Sequence, residues 1–234
     1  MRYRPVPVIL IALAVFAVEG CGGHNPSAGD TTRSGTGTIS RGAVQEPVTA
    51  GAFAQPNFDY YLLNLSWSPE FCRTHPTNPQ CGARPGFVVH GLWPQNNDGS
   101  YPENCPGMAR PPHDAAYLDL MPTVSLIRHE WQTHGTCTGL NPDAYFAEVR
   151  SAFRKVAIPS MFASTQTPPK SVAPEELLQA LEEANPSFPN GAFAVTCGNN
   201  EFTAIEACFD KHLNPIACKG VHSCRTKAIK IAPR

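Results

Sequence analysis

Charge is scarce in this chain. Only 16% of the residues are charged, and 18 Lys and Arg against 19 Asp and Glu leave a formal net charge of −1. Proteins that hold nucleic acid or anionic membranes through a general basic surface carry a large positive excess. That class is excluded, so any polyanionic ligand must be held by local contacts in a cleft.

Long apolar runs are also rare, and the one that occurs lies near the N-terminus. It extends from Val8 to Val18 after two arginines, which is short for a membrane span and typical of a signal peptide. Cys21 follows at a position that resembles a bacterial lipoprotein processing site, where the cysteine is acylated. We expect a signal peptide over 1–20 and a lipid on Cys21, with ordinary cleavage and release as the alternative.

Residues 21–56 have no hydrophobic period and are rich in Gly, Ser, Thr and Ala. This composition is typical of a flexible tether. The folded part of the chain is therefore predicted to be a single domain over 57–234, located outside the cytoplasm.

No pair of CxxC elements occurs, although the chain has nine cysteines. Structural zinc sites commonly use such pairs, so a zinc site is disfavoured. The eight cysteines that follow Cys21 make an even set, which is typical of about four disulfides formed in an oxidising compartment. Eight cysteines allow roughly a hundred pairings, so their spacing alone fixes none of them.

Strand and helix patterns are mixed without a strict βαβ rhythm, which predicts an α+β fold. Asn141 and Pro142 are suited to begin one of the helices. Apolar runs predict strands over 58–67, 86–93, 193–197 and 202–210. A helical period predicts helices over 141–159 and 173–186.

Two short segments carry reactive side chains. FVVHGLWPQ, residues 87–95, ends an apolar strand with a histidine close to a tryptophan, and RHEWQTHGTC, residues 128–137, contains two more histidines. If the second segment is helical up to Gly135, four of its polar side chains share an arc of about 140°. These four are His129, Glu130, Thr133 and His134.

Three interpretations compete for these histidines. A zinc hydrolase would place two histidines four residues apart on a helix, whereas His129 and His134 are five apart. Histidines without chemistry are the default, but two clusters flanked by Trp, Gly and Cys make coincidence a weaker explanation. The third interpretation is metal-free acid–base catalysis, in which one imidazole removes a proton and another donates one.

Attack of a 2′-hydroxyl on the adjacent phosphorus needs such a pair of imidazoles. It also needs a donor for the phosphate oxygens and a flat surface for a base. His90 and His134 are the candidate pair, His129 is the candidate phosphate ligand, and Trp93 is the candidate stacking surface.

FVVHGLWP followed about forty residues later by HEWQTHGTC resembles the paired active-site segments of the ribonuclease T2 family. YYLLNLSWSPEFC, DGSYPENC and FTAIEACFDKHLNPIAC are similar to its first strand, to its loop after the first segment and to its C-terminal hairpin. The resemblance covers roughly residues 57–232. It implies an antiparallel central sheet with flanking helices, stabilised by disulfides.

The resemblance also implies an endoribonuclease that cleaves single-stranded RNA through a 2′,3′-cyclic phosphate to 3′-phosphate products, without metal or other cofactor. His90 would be the general acid for the leaving 5′-oxygen, and His134 the general base for the 2′-hydroxyl. His129 would bind phosphate, and Glu130 beside it would help to stabilise the transition state.

Further expectations follow from the same resemblance. Trp93 and Tyr101 match positions that hold the base between them. The family's cysteine pairing implies the disulfides Cys72–Cys81, Cys105–Cys137, Cys197–Cys224 and Cys208–Cys218. DNA should resist cleavage because it lacks the 2′-hydroxyl. The membrane is expected to be reached only through the lipid on Cys21, and a monomer is the simplest expectation.

Thr133 is a departure from the family pattern, which usually has lysine there. A hydroxyl in this position offers a hydrogen bond to the phosphate but no charge, and Arg128 is predicted to point away from the reactive arc. We expect an attenuated enzyme. The alternative is an extracytoplasmic lipoprotein that keeps the fold but only binds RNA, nucleotides or a partner protein.

Overall fold

The fold is organised around β1 (Tyr60–Trp67), a strand that is paired along both of its edges. β2 (Phe87–Gln95) lies antiparallel on one side, and β5 (Glu201–Phe209) lies antiparallel on the other. β4 (Phe193–Gly198) continues the sheet as the antiparallel partner of β5. The structure is a computed structural model that describes residues 57–83, 86–106 and 112–234.

Two very short strands complete the sheet. β6 (Ile229–Lys230) meets the beginning of β5 in parallel, and β3 (Ser171–Val172) pairs antiparallel with β6. The sheet is therefore antiparallel apart from one contact, as expected. The signal peptide, Cys21 and the tether were predicted within 1–56, which lies outside the described residues.

Four α-helices accompany the sheet. They are α1 (Ser68–Thr74), α2 (Val124–Thr133), α3 (Pro142–Lys155) and α4 (Pro174–Ala184). Short 3₁₀ turns lie at Pro79–Ala83, Asp114–Tyr117, Gly135–Thr138 and Ser160–Phe162. Among the described residues, no helix combines the length and the apolar character needed to cross a membrane.

The start of α3 was predicted correctly, but its end was not. Asn141 caps it by accepting a hydrogen bond from Ala144 N at 2.9 Å. The helix ends at Lys155 instead of continuing to residue 159, because Val156 is already extended. Beyond it, the Asn185 side chain bonds both the N–H and the C=O of Ala157, so this backbone has partners outside a helix.

The two faces of β1 are buried differently, because successive side chains of a strand point to opposite sides. Leu63, Leu65 and Trp67 enter the main core, which also receives α3 and α4. Tyr60 and Leu62 enter a smaller cluster around Cys208. Asn64, which lies on this second side, is also buried, and it donates to Glu206 at 3.0 Å.

The eight described cysteines form four disulfides, and the pairs are those that the family resemblance implies. They are Cys72–Cys81, Cys105–Cys137, Cys197–Cys224 and Cys208–Cys218. Cys105–Cys137 joins the loop after β2 to the 3₁₀ turn after α2. Next to it, Asn104 N donates to Thr133 O at 2.8 Å, so covalent and hydrogen bonds together connect the two segments that carry the histidines.

The loop after β2 is held from its other side by a close approach of two backbones. Gly99 and Gly220 both have positive φ, and a Cβ added at Gly220 would lie 2.8 Å from Gly99 N. Only glycine allows this contact, because a side chain would collide with the opposing backbone. The C-terminal segment thereby supports the loop on which Tyr101 lies.

Candidate active site

His90 occupies a β-bulge. Asn64 pairs with Gly91 and Leu65 pairs with Val89, so His90 has no opposite residue on β1. A bulge bends its strand and redirects the side chain of the extra residue. Here it turns His90 out of the sheet register and toward α2.

Gly91 next to the bulge is required for the approach of α2. A Cβ at this position would lie 2.0 Å from Glu130 Oε2 and 2.5 Å from Trp93 Nε1. The Glu130 carboxyl is therefore pressed against the backbone of β2. Sequence analysis did not single out Gly91, although a glycine inside a strand pattern is a known signal of a bulge or a close approach.

Glu130 is the centre of the site and is completely buried. Trp93 Nε1 donates to its Oε2 at 2.7 Å. Its Oε1 has no hydrogen-bond partner among the described residues, and lies 3.5 Å from His90 Nε2 and 4.0 Å from His129 Nε2. Burial raises the pKa of Glu130 to about 8, against the opposing effect of the indole N–H, so this carboxyl is neutral at neutral pH.

His134 reaches the same site from the end of α2. The helix was predicted to continue up to Gly135, but α2 ends two residues earlier, at Thr133, and a 3₁₀ turn follows. His134 is only 8% exposed, and its ring stacks on Trp93 at 5.1 Å. Burial lowers its pKa to about 4, with further lowering by His129 and His90.

The three imidazoles differ in exposure. The side chains of His90 and His129 are 40% and 59% exposed, so both can meet a ligand from solution. Burial lowers the pKa of His90, and the charge of His129 lowers it further. The ring of His129 stands perpendicular to that of His134 at 6.4 Å, which leaves space between them.

Thr133 is beside His129, where its Oγ1 lies 3.4 Å from Nδ1. Arg128 points elsewhere, as predicted, and binds Asp114 at 2.6 Å. The guanidinium is thus engaged outside the cluster, and Thr133 offers the cluster a hydroxyl.

α2 is held in place from its other side. Trp131 is buried, and its ring lies 5.9 Å from that of Tyr145 on α3. The Tyr145 hydroxyl in turn donates to Leu92 O on β2 at 3.1 Å. Helix α3 therefore connects the two segments that supply the imidazoles.

Not every residue singled out in the sequence joins this cluster. Trp93 does, since it contacts Glu130 and His134 and lies 5.5 Å edge-on from His90. Tyr101 lies on the loop after β2 and is 53% exposed. Within the described part of the chain it makes no ring contact with the cluster, so a base sandwiched by Trp93 and Tyr101 remains a prediction.

A cavity of about 590 Å³ opens at His90, Trp93 and His129 and extends toward α1. Sequence analysis missed the rest of its wall, which includes Ser66, Glu70, Phe71, Thr123, Ser125 and Leu126. These residues come from distant parts of the chain and share no local motif. Among the described residues, no three His, Cys, Asp or Glu side chains are grouped in a way that could hold a metal ion.

Comparisons with known proteins agree with this geometry. The sequence model of the Ribonuclease T2 family matches residues 58–218. A ribonuclease of Aeromonas hydrophila is 46% identical over 101 residues, which are 42% of this chain and 44% of that protein. A probable ribonuclease of Haemophilus influenzae is 30% identical over 188 residues, which are 72% of this chain and 64% of that protein. The matches thus span about half to two thirds of these relatives.

A solved structure shows the same fold. The RNase-related protein from Calystegia sepium superposes with a TM-score of 0.62 at 24% identity, covering 76% of this chain and 98% of that one. The predicted α+β class with an antiparallel central sheet and flanking helices is confirmed.

Replacing Glu130 with Gln should change how stability depends on pH. The folded carboxyl holds its proton up to about pH 8, against an ordinary pKa of 4.5, so the unfolded chain loses that proton first as pH rises. The contribution of Glu130 to the unfolding free energy is therefore full below pH 4.5 and lost by about pH 8. Gln has no proton to lose.

We expect the unfolding free energy of Glu130→Gln, relative to the wild type, to rise by a few kcal/mol between these two pH values. His134, whose pKa is lowered by folding, makes the unfolding free energy rise with pH, and this contribution cancels because both proteins have it. Chemical denaturation at each pH measures the difference, and Glu176→Gln on the exposed face of α4 is the control. Equal pH dependence of wild type and Glu130→Gln would contradict the protonated state of Glu130.

Proposed function

The chain belongs to the ribonuclease T2 family, and from this premise we propose that it is an endoribonuclease that cleaves single-stranded RNA by metal-free acid–base catalysis. The observation that carries the proposal is the arrangement of three imidazoles around the buried carboxyl of Glu130: His90 and His129 lie within 4.0 Å of its Oε1, and His134 stacks on Trp93, which donates to its Oε2. An acid whose pKa is raised to about 8 suits an anionic substrate, since it does not repel the phosphate at neutral pH.

The proposed reaction moves one proton at each end of the scissile phosphate. His134 takes the proton of the 2′-hydroxyl, and the 2′-oxygen attacks phosphorus. The bond from phosphorus to the 5′-oxygen breaks, and His90 gives that oxygen a proton. The products are a 2′,3′-cyclic phosphate and a free 5′-hydroxyl. Water then opens the cyclic phosphate to a 3′-phosphate, with the two histidines in exchanged roles.

The electrostatics of the histidines support these roles. A base must be unprotonated, and the pKa of His134 is lowered to about 4. Its Nδ1 is buried without a hydrogen-bond partner among the described residues, so Nε2 is the nitrogen that can exchange a proton with substrate. An acid must release its proton readily, and the pKa of His90 is also lowered.

The remaining residues act on the phosphate and the bases. His129 would donate to the non-bridging oxygens, where charge accumulates in the transition state, and Glu130 would lie beside it without adding a negative charge. Trp93 would present its free surface at the cavity mouth to a base, with Tyr101 closing from the loop. Trp93 also positions Glu130 and His134, so its role extends beyond stacking.

The proposed location is outside the cytoplasm. Four disulfides are typical of proteins that fold in an oxidising compartment. A lipid on Cys21 would attach the domain to a membrane, with residues 21–56 as the tether, and release after cleavage of residues 1–20 is the alternative. We propose that the domain acts as a monomer.

A second candidate function is a binding protein on the same fold. It is favoured by Thr133, which places a hydroxyl beside His129 where the family usually has lysine, and by the engagement of Arg128 with Asp114. Such a protein would hold RNA or nucleotides at the imidazoles without cleaving them.

Cleavage of RNA separates these two functions. The oxidised full-length chain should cleave RNA but not its 2′-deoxy counterpart, with and without EDTA, and should leave a 2′,3′-cyclic phosphate terminus. His90→Ala and His134→Ala should each lower the rate by roughly 10²- to 10⁴-fold, whereas His222→Ala, an exposed histidine elsewhere, should not. Intact RNA with a folded wild type would favour the binding protein, and sensitivity to EDTA would contradict the metal-free mechanism.

The rate should have an acidic optimum. Below about pH 4 His134 becomes protonated and no longer acts as a base. As pH rises through the lowered pKa of His90, which lies below 6.5, the acid is lost. A bell-shaped profile of kcat/KM with its maximum between these limits is expected, measured on a dinucleotide from pH 3 to pH 9. A flat profile, or a maximum above pH 7, would contradict these roles.

Restoring the cation at position 133 should raise the rate. An ammonium at the end of α2 would face the charge that develops on the phosphate, and such contacts are worth roughly 10²-fold in rate. Thr133→Lys should therefore increase kcat, while Thr133→Met, of similar length but uncharged, should not. Equal effects of the two variants would mean that charge at this position does not limit the rate.

A further inference from the structure

The cavity at the imidazoles extends to a wall that the proposed reaction does not use. Its near end is formed by His90, Trp93 and His129, and its far wall by α1 and the turn after it. His134 does not line it. In the proposed mechanism His90 protonates the leaving 5′-oxygen and His134 serves the 2′-hydroxyl, so the cavity lies on the leaving-group side of the scissile phosphate.

The chemistry of the wall suits a nucleoside better than a phosphate. Hydroxyls, amides and aromatic rings dominate, and among the described residues that line it there is neither Lys nor Arg. Apart from the histidines, the one ionisable side chain in this lining is Glu70. A phosphate would meet no cation here and would be repelled by the carboxylate.

The Glu70 carboxylate can accept further hydrogen bonds. Its Oε2 binds Arg73 at 2.9 Å, while Oε1 makes no hydrogen bond within the described part of the chain. The side chain is 16% exposed, so it is largely sheltered from water yet open to the cavity. An ionised carboxylate accepts on both oxygens, each with more than one lone pair.

Phe71 provides a flat surface next to this carboxylate. It lines the cavity, and its ring is stacked in parallel on His75 at 4.3 Å, which fixes its orientation. Bases of single-stranded RNA are commonly recognised by stacking on aromatic rings together with hydrogen bonds to their Watson–Crick edge. α1 offers a carboxylate for hydrogen bonds and a ring for stacking in the consecutive residues Glu70 and Phe71.

We propose that Glu70 is a specificity-determining residue that selects guanine as the base of the leaving nucleoside. Guanine presents two adjacent donors, N1–H and the 2-amino group, which match the two oxygens of a carboxylate. Adenine and cytosine place a ring-nitrogen acceptor beside their amino group, and uracil flanks its single N–H with carbonyls, so each brings an acceptor toward the carboxylate. This inference rests on the proposed function, because the proposed roles of His90 and His134 place the cavity on the leaving-group side of the phosphate.

The test compares dinucleotides that differ by one amino group. UpG and UpI share every atom of the leaving base except the 2-amino group, which inosine lacks. The wild type should prefer UpG by roughly tenfold in kcat/KM, the discrimination expected of one hydrogen bond to a charged group. Glu70→Gln presents an amide donor toward guanine's donors, so its ratio of UpG to UpI should fall toward one.

Glu201→Gln is the matched control. Glu201 binds the same Arg73, at 3.1 Å, but does not line the cavity. It should therefore keep the wild-type ratio, which separates recognition in the cavity from loss of an ion pair. Equal ratios for UpG and UpI in the wild type, or the same change in both variants, would overturn the proposal.

A binding measurement distinguishes failure of this inference from failure of the proposed function. Titration calorimetry with 2′-deoxy UpG and 2′-deoxy UpI, which cannot be cleaved, reports base selection without catalysis. Selective binding that depends on Glu70, in a protein that leaves RNA intact, would contradict the ribonuclease and support the guanine site. Cleavage of RNA without selection would contradict the guanine site alone.

Discussion

The buried carboxyl of Glu130 is the constraint on which the arrangement of the site depends. A carboxyl with no exposure to water is costly to ionise, and among the described residues Trp93 supplies its one side-chain hydrogen bond. Two of the imidazoles lie within 4.0 Å of its other oxygen. Because its pKa is raised to about 8, this carboxyl carries no charge at neutral pH, so it does not hold the histidines in their protonated form.

The fold delivers this carboxyl by supporting α2 against β2 from several directions. α3 bonds to β2 through Tyr145, and the disulfide Cys105–Cys137 joins the loop after β2 to the turn after α2. The bulge at His90 then turns one side chain toward α2, while the pairing of β2 with β1 continues on either side of it. Contacts from several elements thus hold α2 and β2 in place around the bulge that presents His90.

Much of the fold could be predicted from local pattern. β1 and β4 were recognised because their apolar runs are bounded by turn residues, and α3 because Asn141 and Pro142 mark its start. Its end was missed because Asn185, 28 residues further along the sequence, bonds the backbone of Ala157. The disulfide pairs came from the family resemblance, since spacing could not distinguish the alternatives.

The reactive histidines were equally visible in the sequence, but their environment was not. Gly91 inside the strand pattern could have indicated a bulge, but it does not identify His90 as the extra residue, because register depends on the pairing partner. The burial of Glu130 depends on Gly91 and Trp93, which belong to β2 and lie against its carboxyl. The far wall of the cavity, with Glu70 and Phe71, becomes part of the site only when α1 packs on the sheet, so that it and the start of α2 line the same cavity.

Gly91 also bears on how this site can change over evolutionary time. Every amino acid other than glycine adds a Cβ, and any Cβ here would fall 2.0 Å from Glu130 Oε2. No missense mutation of its codon can therefore be accommodated while Glu130 stays in place. The same Cβ would lie 2.5 Å from Trp93 Nε1, so a lineage that altered this corner would have to replace both Glu130 and Trp93 before Gly91, and these contacts dictate the order of the substitutions as well as their sum.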